Sequence, residues 1–470
     1  MVSLRRLDHR PVHCGFYGIT RVTVHLLYSI ISLCLIFSAS TLHASSLNAS
    51  DGILDFGRIA TIDYLVEQAI SSDLIAGAVV VIGNRNGILT STARGRLSAT
   101  PGAPLLNQQT IFDLASLTKV IATAPAVMKL LDERHISLQA PLTRWFPEFK
   151  GTDRENVTIL HLLTHTSGLS DFDVGTQHAM ETAVHRAAAE KNRQSPGSSF
   201  NYADINFILL GELIQRVSGR TLDSYSRDEL FAPLAIPETM FLPTADLAAR
   251  IAPTQGITSG IVQDRNSRRL GSVAGHAGLF SSAQDLARFA RMMLSGGSLD
   301  GKQILSRQIV EQMTSPFLCS NGSMVRGLGW DINSPFSAPK GRLFSEDSFG
   351  HTGYSGSSIW IDPKQDLFVV MLTNRRDYRN IKTFNQLRSD ISTLASAEFG
   401  TQDYPEAATP RIVTRITAVP RRTATTSSAT PRRIRLLAAV SETHSKMQRH
   451  SSRKNGKTNR LKTIGRSNRA

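Results

Sequence analysis

The residue types that could do chemistry first stand out in the segment Ser116-Leu117-Thr118-Lys119. A loop runs into a predicted helix here, and residues three apart share one face of a helix. A hydroxyl would then lie beside an amine, as a nucleophile lies beside the base that activates it. Because serine and lysine are common, such a match is more often an ordinary helix start with a solvated lysine. The segment therefore needs partners elsewhere in the chain.

Two later segments could supply those partners. Tyr202 lies in Phe200-Asn201-Tyr202-Ala203-Asp204, just before an apolar helix, and a phenol beside Ser116 could relay protons. The segment His351-Thr352-Gly353-Tyr354 leads into a predicted strand. Glycine there would let a ligand approach the strand backbone closely. The chain thus carries a hydroxyl, an amine, a phenol and a glycine-lined strand in three separate motifs.

The elements around these motifs predict how they are positioned. Residues 59–71 are amphipathic and predict a helix, and residues 382–399 predict another. Helical patterns also dominate from about 112 to 330. Apolar, β-rich runs predict strands over 76–83, 88–93, 357–363 and 367–373. We predict an α+β fold: a central antiparallel sheet formed by both ends of this region and flanked by helices, with a large, mainly helical subdomain inserted.

The order of the three motifs resembles a known family. Ser-x-x-Lys, Tyr-x-Asn and Lys/His-Thr-Gly follow one another in the serine β-lactamase and penicillin-binding protein superfamily. The chain is most similar to its class C-like branch, which includes D,D-peptidases, D-aminopeptidases, esterases and amidases of peptidoglycan fragments. Residues 162–169 and 275–282 also match that branch. The resemblance covers about residues 50–400 and implies the β-lactamase/transpeptidase fold.

The resemblance implies a mechanism. Ser116 would attack a carbonyl and form an acyl-enzyme, Lys119 or Tyr202 or both would accept its proton, and Tyr202 would protonate the leaving group. The backbone N–H groups of Ser116 and Tyr354 would form the oxyanion hole. The expected catalytic residues are Ser116, Lys119 and Tyr202, and the expected substrate-binding residues are Asp204, His351, Thr352, Gly353 and Tyr354.

Two of these positions depart from the family pattern. Asp204 stands where asparagine is usual, and a carboxylate cannot donate an amide hydrogen bond to a substrate carbonyl, although it could hold Lys119 charged or in place. His351 replaces the lysine of the β-lactamases and carries less charge at neutral pH, so it should recognise a substrate carboxylate more weakly. Both changes argue against efficient β-lactam hydrolysis.

We therefore predict a serine hydrolase that acts on peptidoglycan-derived peptides or amides, as a D,D-carboxypeptidase or a muropeptide amidase does. An esterase, a weak β-lactamase, and a non-catalytic penicillin-binding or wall-binding sensor are the alternatives. The last is disfavoured because Ser116, Lys119 and Tyr202 are all present. We expect no metal and no cofactor. His161 and His165 have a metal-ligand spacing, but Leu162 stands where the H-E-x-x-H motif has glutamate.

The net charge of +15 belongs mainly to one end of the chain. Residues 401–470 hold 16 of the 53 lysines and arginines but only 3 of the 38 acidic residues. This segment is poor in apolar residues, so we predict a disordered basic tail that could contact an anionic polymer or a membrane surface. The rest of the chain is nearly neutral, which argues against a nucleic-acid-binding protein.

The N-terminal residues resemble an export signal. Within residues 1–45, arginines precede an apolar run over 22–37, and small residues follow it, as in a secretory signal or an uncleaved N-terminal anchor. Cys14 and Cys34 lie inside this segment, so Cys319 has no partner for an internal disulfide. We expect residues 46–400 to form the hydrolase domain, in the periplasm, the cell envelope or outside the cell.

Replacement of Ser116 by alanine tests the nucleophile. We expect Ser116→Ala to abolish hydrolysis because no acyl-enzyme can form without the hydroxyl. Turnover and the circular dichroism spectrum of the purified variant should be measured together. Full hydrolysis by a correctly folded Ser116→Ala protein would refute the assignment.

Overall fold

The computed structural model describes residues 60–191, 194–319, 324–401 and 414–415. The predictions of a signal or anchor over residues 1–45 and of a disordered tail over 401–470 fall outside these residues, apart from Thr401 and the pair 414–415. Within the described ranges, no helix has the length and apolar character that crossing a membrane would require.

Fifteen strands are present in the described residues. They are β1 (Ile75–Asn84), β2 (Gly87–Gly95), β3 (Ile111–Asp113), β4 (Met240–Phe241), β5 (Ile251–Ala252), β6 (Leu279–Ser282), β7 (Ser298–Leu299), β8 (Lys302–Gln303), β9 (Phe317–Cys319), β10 (Met324–Arg326), β11 (Asp331–Asn333), β12 (Phe349–Thr352), β13 (Ser358–Asp362), β14 (Leu367–Arg375) and β15 (Thr414–Arg415). Nine of them form one sheet in the order β15-β9-β10-β11-β12-β13-β14-β1-β2. Neighbouring strands in this sheet are antiparallel, except for the parallel pair β15 and β9.

Strand β1 shows why both ends of the domain meet in this sheet. It is apolar up to Asn84 and pairs with β14, so that Val80 lies opposite Met371. Successive side chains of a strand point to opposite faces. Val79 accordingly packs into the core on one side of the sheet, and Val80 into the core on the other. A strand buried on both faces needs helices on both sides.

Those helices are α1 (60–71), α2 (Ala124–Asp132), α3 (Ile159–Leu163), α4 (Ala179–Ala189), α5 (Asp204–Ser218), α6 (Leu222–Ser226), α7 (Ala232–Leu234), α8 (Arg265–Arg269), α9 (Ala283–Leu294), α10 (Arg307–Thr314) and α11 (Ile381–Phe399). Helices α1 and α11 cover one face of the sheet, where Val66 and Ile391 join the core around Val80. Helix α9 covers the other face through Phe289. The predicted α+β architecture with an antiparallel sheet flanked by helices is therefore confirmed.

The region from 112 to 330 also contains strands that the sequence patterns did not predict. A small sheet in the order β4-β6-β3-β5 lies within it, and β9 and β10 extend the main sheet. Pairing of β3 with β6 sets Asp113 opposite Phe280. This pairing brings the segment before Ser116 against residues 275–282, the stretch that also matches the class C-like branch.

Strands β12 and β13 approach each other closely at one glycine. Gly350 pairs with Trp360, which is buried, and a Cβ atom built at Gly350 would overlap the indole ring. The absence of a side chain at this position is what allows the third motif to lie against β13.

We expect Gly350→Ala to lower the free energy of unfolding by about 1–3 kcal/mol, because overpacking a buried contact forces the ring or the backbone to move. Urea denaturation measures the change. Gly87→Ala is the matched control, since nothing lies within 4 Å of a Cβ at Gly87. Equal stabilities of the two variants would contradict this account.

Candidate active site

Ser116 lies in a short 3-10 turn, Ala115–Leu117, that follows β3. Ala115 has a left-handed φ of 47°, and the Oδ1 atom of Asp113 accepts its N–H at 2.8 Å. A π-helical segment, Lys119–Thr123, then leads into α2. The sequence predicted a regular helix here. The helix instead starts irregularly, yet the Nζ atom of Lys119 lies 3.0 Å from Ser116 Oγ.

The ammonium of Lys119 is completely buried and is surrounded by polar groups. Besides Ser116, it donates to the backbone oxygen of His276 at 3.2 Å and lies 2.7 Å from Asp204 Oδ1. The side chain of Tyr202 is a further partner. The partners come from three different parts of the chain, which the fold brings together around Lys119.

The charges in this group support one another. Burial by itself would lower the pKa of Lys119, but the negative charge of Asp204 and the contact with Tyr202 raise that pKa above its ordinary value. Burial would likewise raise the pKa of Asp204, but the nearby Lys119 and His276 lower it. Both groups are therefore charged at neutral pH. Asp204 therefore lies where its negative charge can keep Lys119 protonated. This is one of the two roles that the sequence predicted for an aspartate at a position where the family usually has asparagine.

Tyr202 lines the same cleft as Ser116. Its ring centroid is 5.2 Å from Lys119 Nζ and 5.1 Å from the ring of Phe336. The ring of His165 stacks on it at 4.4 Å. The three predicted catalytic residues thus lie together, and His165 and Phe336 flank the tyrosine.

The third motif is joined to the segment just before Ser116 through two serine hydroxyls. Ser355 Oγ donates to the backbone oxygen of Asp113 at 2.6 Å, and Ser357 Oγ donates to that of Leu114 at 2.8 Å. These bonds fix Tyr354 beside Ser116. The Tyr354 N–H has no backbone acceptor in the described ranges, and the Ser116 N–H lies in the first turn of a helical segment. Both are available to stabilise an oxyanion.

His351 is neutral in this position. Its Nδ1 donates to the backbone oxygen of Thr352 at 2.9 Å, which leaves the other ring nitrogen without a proton in the neutral form. Burial above all, and then the charges of Arg326 and Lys119, hold the pKa of His351 well below its usual range. A neutral His351 offers a substrate carboxylate no positive charge, and weaker carboxylate recognition at this motif stays a prediction.

Three arginines supply positive charge to the cleft beside His351. Arg326, Arg375 and Arg388 line its volume of about 280 Å³. Arg326 pairs with Asp331 at 3.3 Å. Arg375 and Arg388 donate to backbone oxygens, and neither forms an ion pair with a carboxylate in the part of the chain that is described. Burial, with a smaller contribution from Arg375, lowers the pKa of Arg388 to about 9, so it is still charged at neutral pH.

These arginines and the two serines were not predicted from the sequence. Arg326, Arg375 and Arg388 lie far apart along the chain and belong to no motif. Ser355 and Ser357 lie directly after the third motif, so the run Gly353-Tyr354-Ser355-Gly356-Ser357 was the one local signal available.

On the other side of Ser116, a second recess of about 390 Å³ is lined by Asp204, Asp264 and His276. His276 Nε2 lies 2.9 Å from Asp264 Oδ1, and the three side chains are close enough to share a metal ion. The ammonium of Lys119 already compensates Asp204 and would repel a second cation, so we assign no metal here. His161 and His165 make separate contacts, since His161 bonds to Thr158 and His165 contacts Tyr202.

Comparison with known proteins identifies the family. A sequence model described as Beta-lactamase matches residues 62–387. The chain belongs to the beta-lactamase family. The resemblance predicted from the motifs is therefore confirmed, and the family is one of serine hydrolases with the β-lactamase fold.

Relatives within this family have different names. An N-acetylmuramyl-L-alanine amidase of Bacillus subtilis (strain 168) is 27% identical over 374 residues, which is 70% of this chain and 84% of that protein. An Escherichia coli (strain K12) homologue named D-alanyl-D-alanine carboxypeptidase is 27% identical over 364 residues, 68% of this chain and 82% of that protein. A solved class C beta-lactamase from Rhodobacter sphaeroides has a TM-score of 0.58 at 20% identity, covering 71% of this chain and 98% of the other. This last likeness shows a shared fold.

Replacement of Asp204 by asparagine tests the charge state of Lys119. Without the carboxylate, burial dominates and the pKa of Lys119 falls, so Lys119 loses its proton at a lower pH. We expect the alkaline limb of kcat/KM to move to lower pH by about 1 to 3 pH units. A pH–rate profile measures this shift.

Asp300→Asn is the control, because Asp300 pairs with Arg288 at the surface. Its profile should match that of the wild type. A profile of Asp204→Asn that also matches the wild type would show that the charge of Lys119 does not limit the reaction.

Proposed function

We propose that the chain is an exported serine hydrolase that cleaves an amide bond next to a free carboxylate in peptidoglycan-derived peptides, as a D,D-carboxypeptidase does. One observation carries the proposal: the Ser116–Lys119–Tyr202 group opens onto a cleft flank where Arg375 and Arg388 have no carboxylate partner among the described residues. The E. coli relative with the carboxypeptidase name supports the same substrate class.

The proposed reaction begins at Ser116. Its Oγ attacks the scissile carbonyl, and because Lys119 already carries its proton, Tyr202 relays the proton of the hydroxyl. The Tyr202 oxygen accepts that proton while its own phenolic proton moves to the leaving nitrogen. The charge of Lys119 stabilises the negative charge that develops on the two oxygens. The amine then leaves with the transferred proton as the carbon–nitrogen bond breaks, and Tyr202 is again a neutral phenol. Water hydrolyses the acyl-enzyme and restores the serine.

Substrate recognition in this proposal uses charge and apolar contact together. A carboxylate on the leaving group would approach Arg375 and Arg388, and the Thr352 side chain lines the same cleft. Phe336, Tyr354 and Ile381 are exposed large side chains at this cleft and offer an apolar wall. A terminal D-alanine, which has a methyl group and a carboxylate, matches both features.

A muropeptide amidase is the second candidate, and it rests on the named amidase of B. subtilis. The bond that an amidase cuts lies between muramic acid and the first residue of the peptide, further from the terminal carboxylate. The position of Arg375 and Arg388 at the cleft therefore favours the carboxypeptidase. An envelope location agrees with either activity and with the basic and apolar segments within residues 1–45.

Mass spectrometry of purified muropeptides before and after incubation decides between these activities. We expect pentapeptide muropeptides to lose one terminal D-alanine, because that residue places its carboxylate against the arginines. Release of the whole peptide from muramic acid would establish the amidase instead.

Two controls make the result specific. Ser116→Ala should leave the muropeptides unchanged. Pentapeptides whose terminal carboxylate is amidated should be cut more slowly, since the amide carries no charge for Arg375 and Arg388. Intact muropeptides after incubation with the wild type, together with stable acylation by a penicillin, would show a binding sensor and overturn the proposal.

A further inference from the structure

His165 occupies an unusual position beside the catalytic tyrosine. It is completely buried and has a left-handed φ of 54°, a conformation that few residues other than glycine adopt, with asparagine and histidine among the more tolerant. It follows helix α3 in the stretch Leu162-Leu163-Thr164-His165-Thr166. The mechanism proposed above gives it no chemical step. A strained residue persists where its surroundings hold it in place, which makes its contacts informative.

Those contacts surround Tyr202. The backbone oxygen of His165 accepts the N–H of Asn201 at 2.8 Å, and its Nδ1 accepts the N–H of Ala203 at 3.2 Å. The His165 ring stacks on the Tyr202 ring with an angle of 26° between the planes. A single residue therefore binds the N–H groups of the residues on both sides of Tyr202 and contacts one face of its ring.

The ring of His165 is neutral, and its tautomer follows from its partners. Nδ1 accepts from Ala203 and lies 3.2 Å from the Asn206 side-chain nitrogen, so the proton is on Nε2. Burial above all, and then the charges of Arg326 and Lys119, hold the pKa of His165 well below its usual range. The Nε2–H group is buried and has no hydrogen-bond partner among the described residues, so no hydrogen bond joins the ring to Tyr202, Ser116 or Lys119. Its effect on Tyr202 must come through position.

We propose that His165 is the positioning residue of Tyr202, holding the phenol at the distance from Ser116 and Lys119 that proton transfer requires. This inference rests on the proposed function, in which Tyr202 carries the proton to the leaving group. Three properties are needed together: tolerance of a positive φ, an acceptor for the Ala203 N–H, and an aromatic face. Histidine combines them, whereas asparagine lacks the ring and phenylalanine lacks the acceptor.

Two substitutions separate these properties, and a third serves as a control. His165→Asn keeps the acceptor and the tolerance of positive φ but removes the ring. His165→Phe keeps an aromatic ring but removes the acceptor and the tolerance of positive φ. His161→Asn is the matched control, because His161 is also buried and caps α3 by bonding to Thr158. Thermal unfolding of all three variants measures the general loss of stability.

The test compares an anilide and a phenyl ester of N-acetyl-D-alanine whose leaving groups both carry the carboxylate that the proposed function requires: 5-amino-2-nitrobenzoic acid in the anilide and 5-hydroxy-2-nitrobenzoic acid in the ester. The anilide needs a proton from Tyr202 on its leaving nitrogen, whereas the nitrophenolate leaves without one. We expect both His165 variants to lower kcat for the anilide by about 10- to 100-fold, with KM nearly unchanged and a much smaller loss on the ester. His161→Asn should keep the wild-type ratio of anilide to ester turnover.

The possible failures are distinguishable. If Ser116→Ala and Tyr202→Phe lose anilide turnover but the His165 variants keep the wild-type ratio of the two rates, the positioning role is wrong and the proposed function stands. If Ser116→Ala or Tyr202→Phe turns over the anilide like the wild type, the proposed function is wrong, and the inference about His165 falls with it.

Discussion

The buried charge of Lys119 is the constraint on which the rest of the site depends. Taking an ammonium out of water costs several kcal/mol unless hydrogen bonds and an opposite charge replace its hydration. Ser116, Asp204 and His276 provide that replacement from three separate segments. The lysine can be buried only when these segments meet, so the electrostatics of the site and the assembly of the domain are coupled.

Hydrogen bonds from side chains to backbone oxygens fix the geometry of the site around Lys119. Ser355 and Ser357 join the third motif to the segment just before Ser116, and Arg388 on α11 donates to the backbone oxygens of Gly353 and Ser357 at 3.0 and 2.8 Å. The last helix of the domain thus supports the turn that presents Tyr354. Preorganised donors of this kind stabilise a developing oxyanion without rearrangement during the reaction.

The distribution of charge along the cleft explains how the site differs from the family pattern. His351 is neutral, so the positive charge that the usual lysine supplies is missing from the third motif itself. Arg375 and Arg388 carry positive charge into the same cleft from β14 and α11. On the other side of Ser116, Asp204 balances Lys119. Asp204 and His351 are the two departures from the family motifs, and each has to be interpreted together with the charged residues that surround it in the folded chain.

Much of the architecture was predictable from local patterns. The apolar runs of β1, β13 and β14 and the amphipathic α11 follow from residue periodicity, and the order of three motifs identified the family. Short strands such as β3 and β6 were missed because two to four residues carry too little periodicity to be recognised. The irregular start of the helix at Ser116 was missed because it depends on Asp113 and on the packing around Lys119.

The sequence by itself determined the fold class and predicted Ser116 as the nucleophile with two polar partners, because these are encoded in periodicity and in short motifs. Tertiary structure alone decided that Asp204 pairs with Lys119, that His165 stacks on Tyr202 and that two arginines beside the cleft lack carboxylate partners in the described residues. The physical reason is distance along the chain. Burial and charge pairing depend on which remote segments share a space, and no local pattern records that.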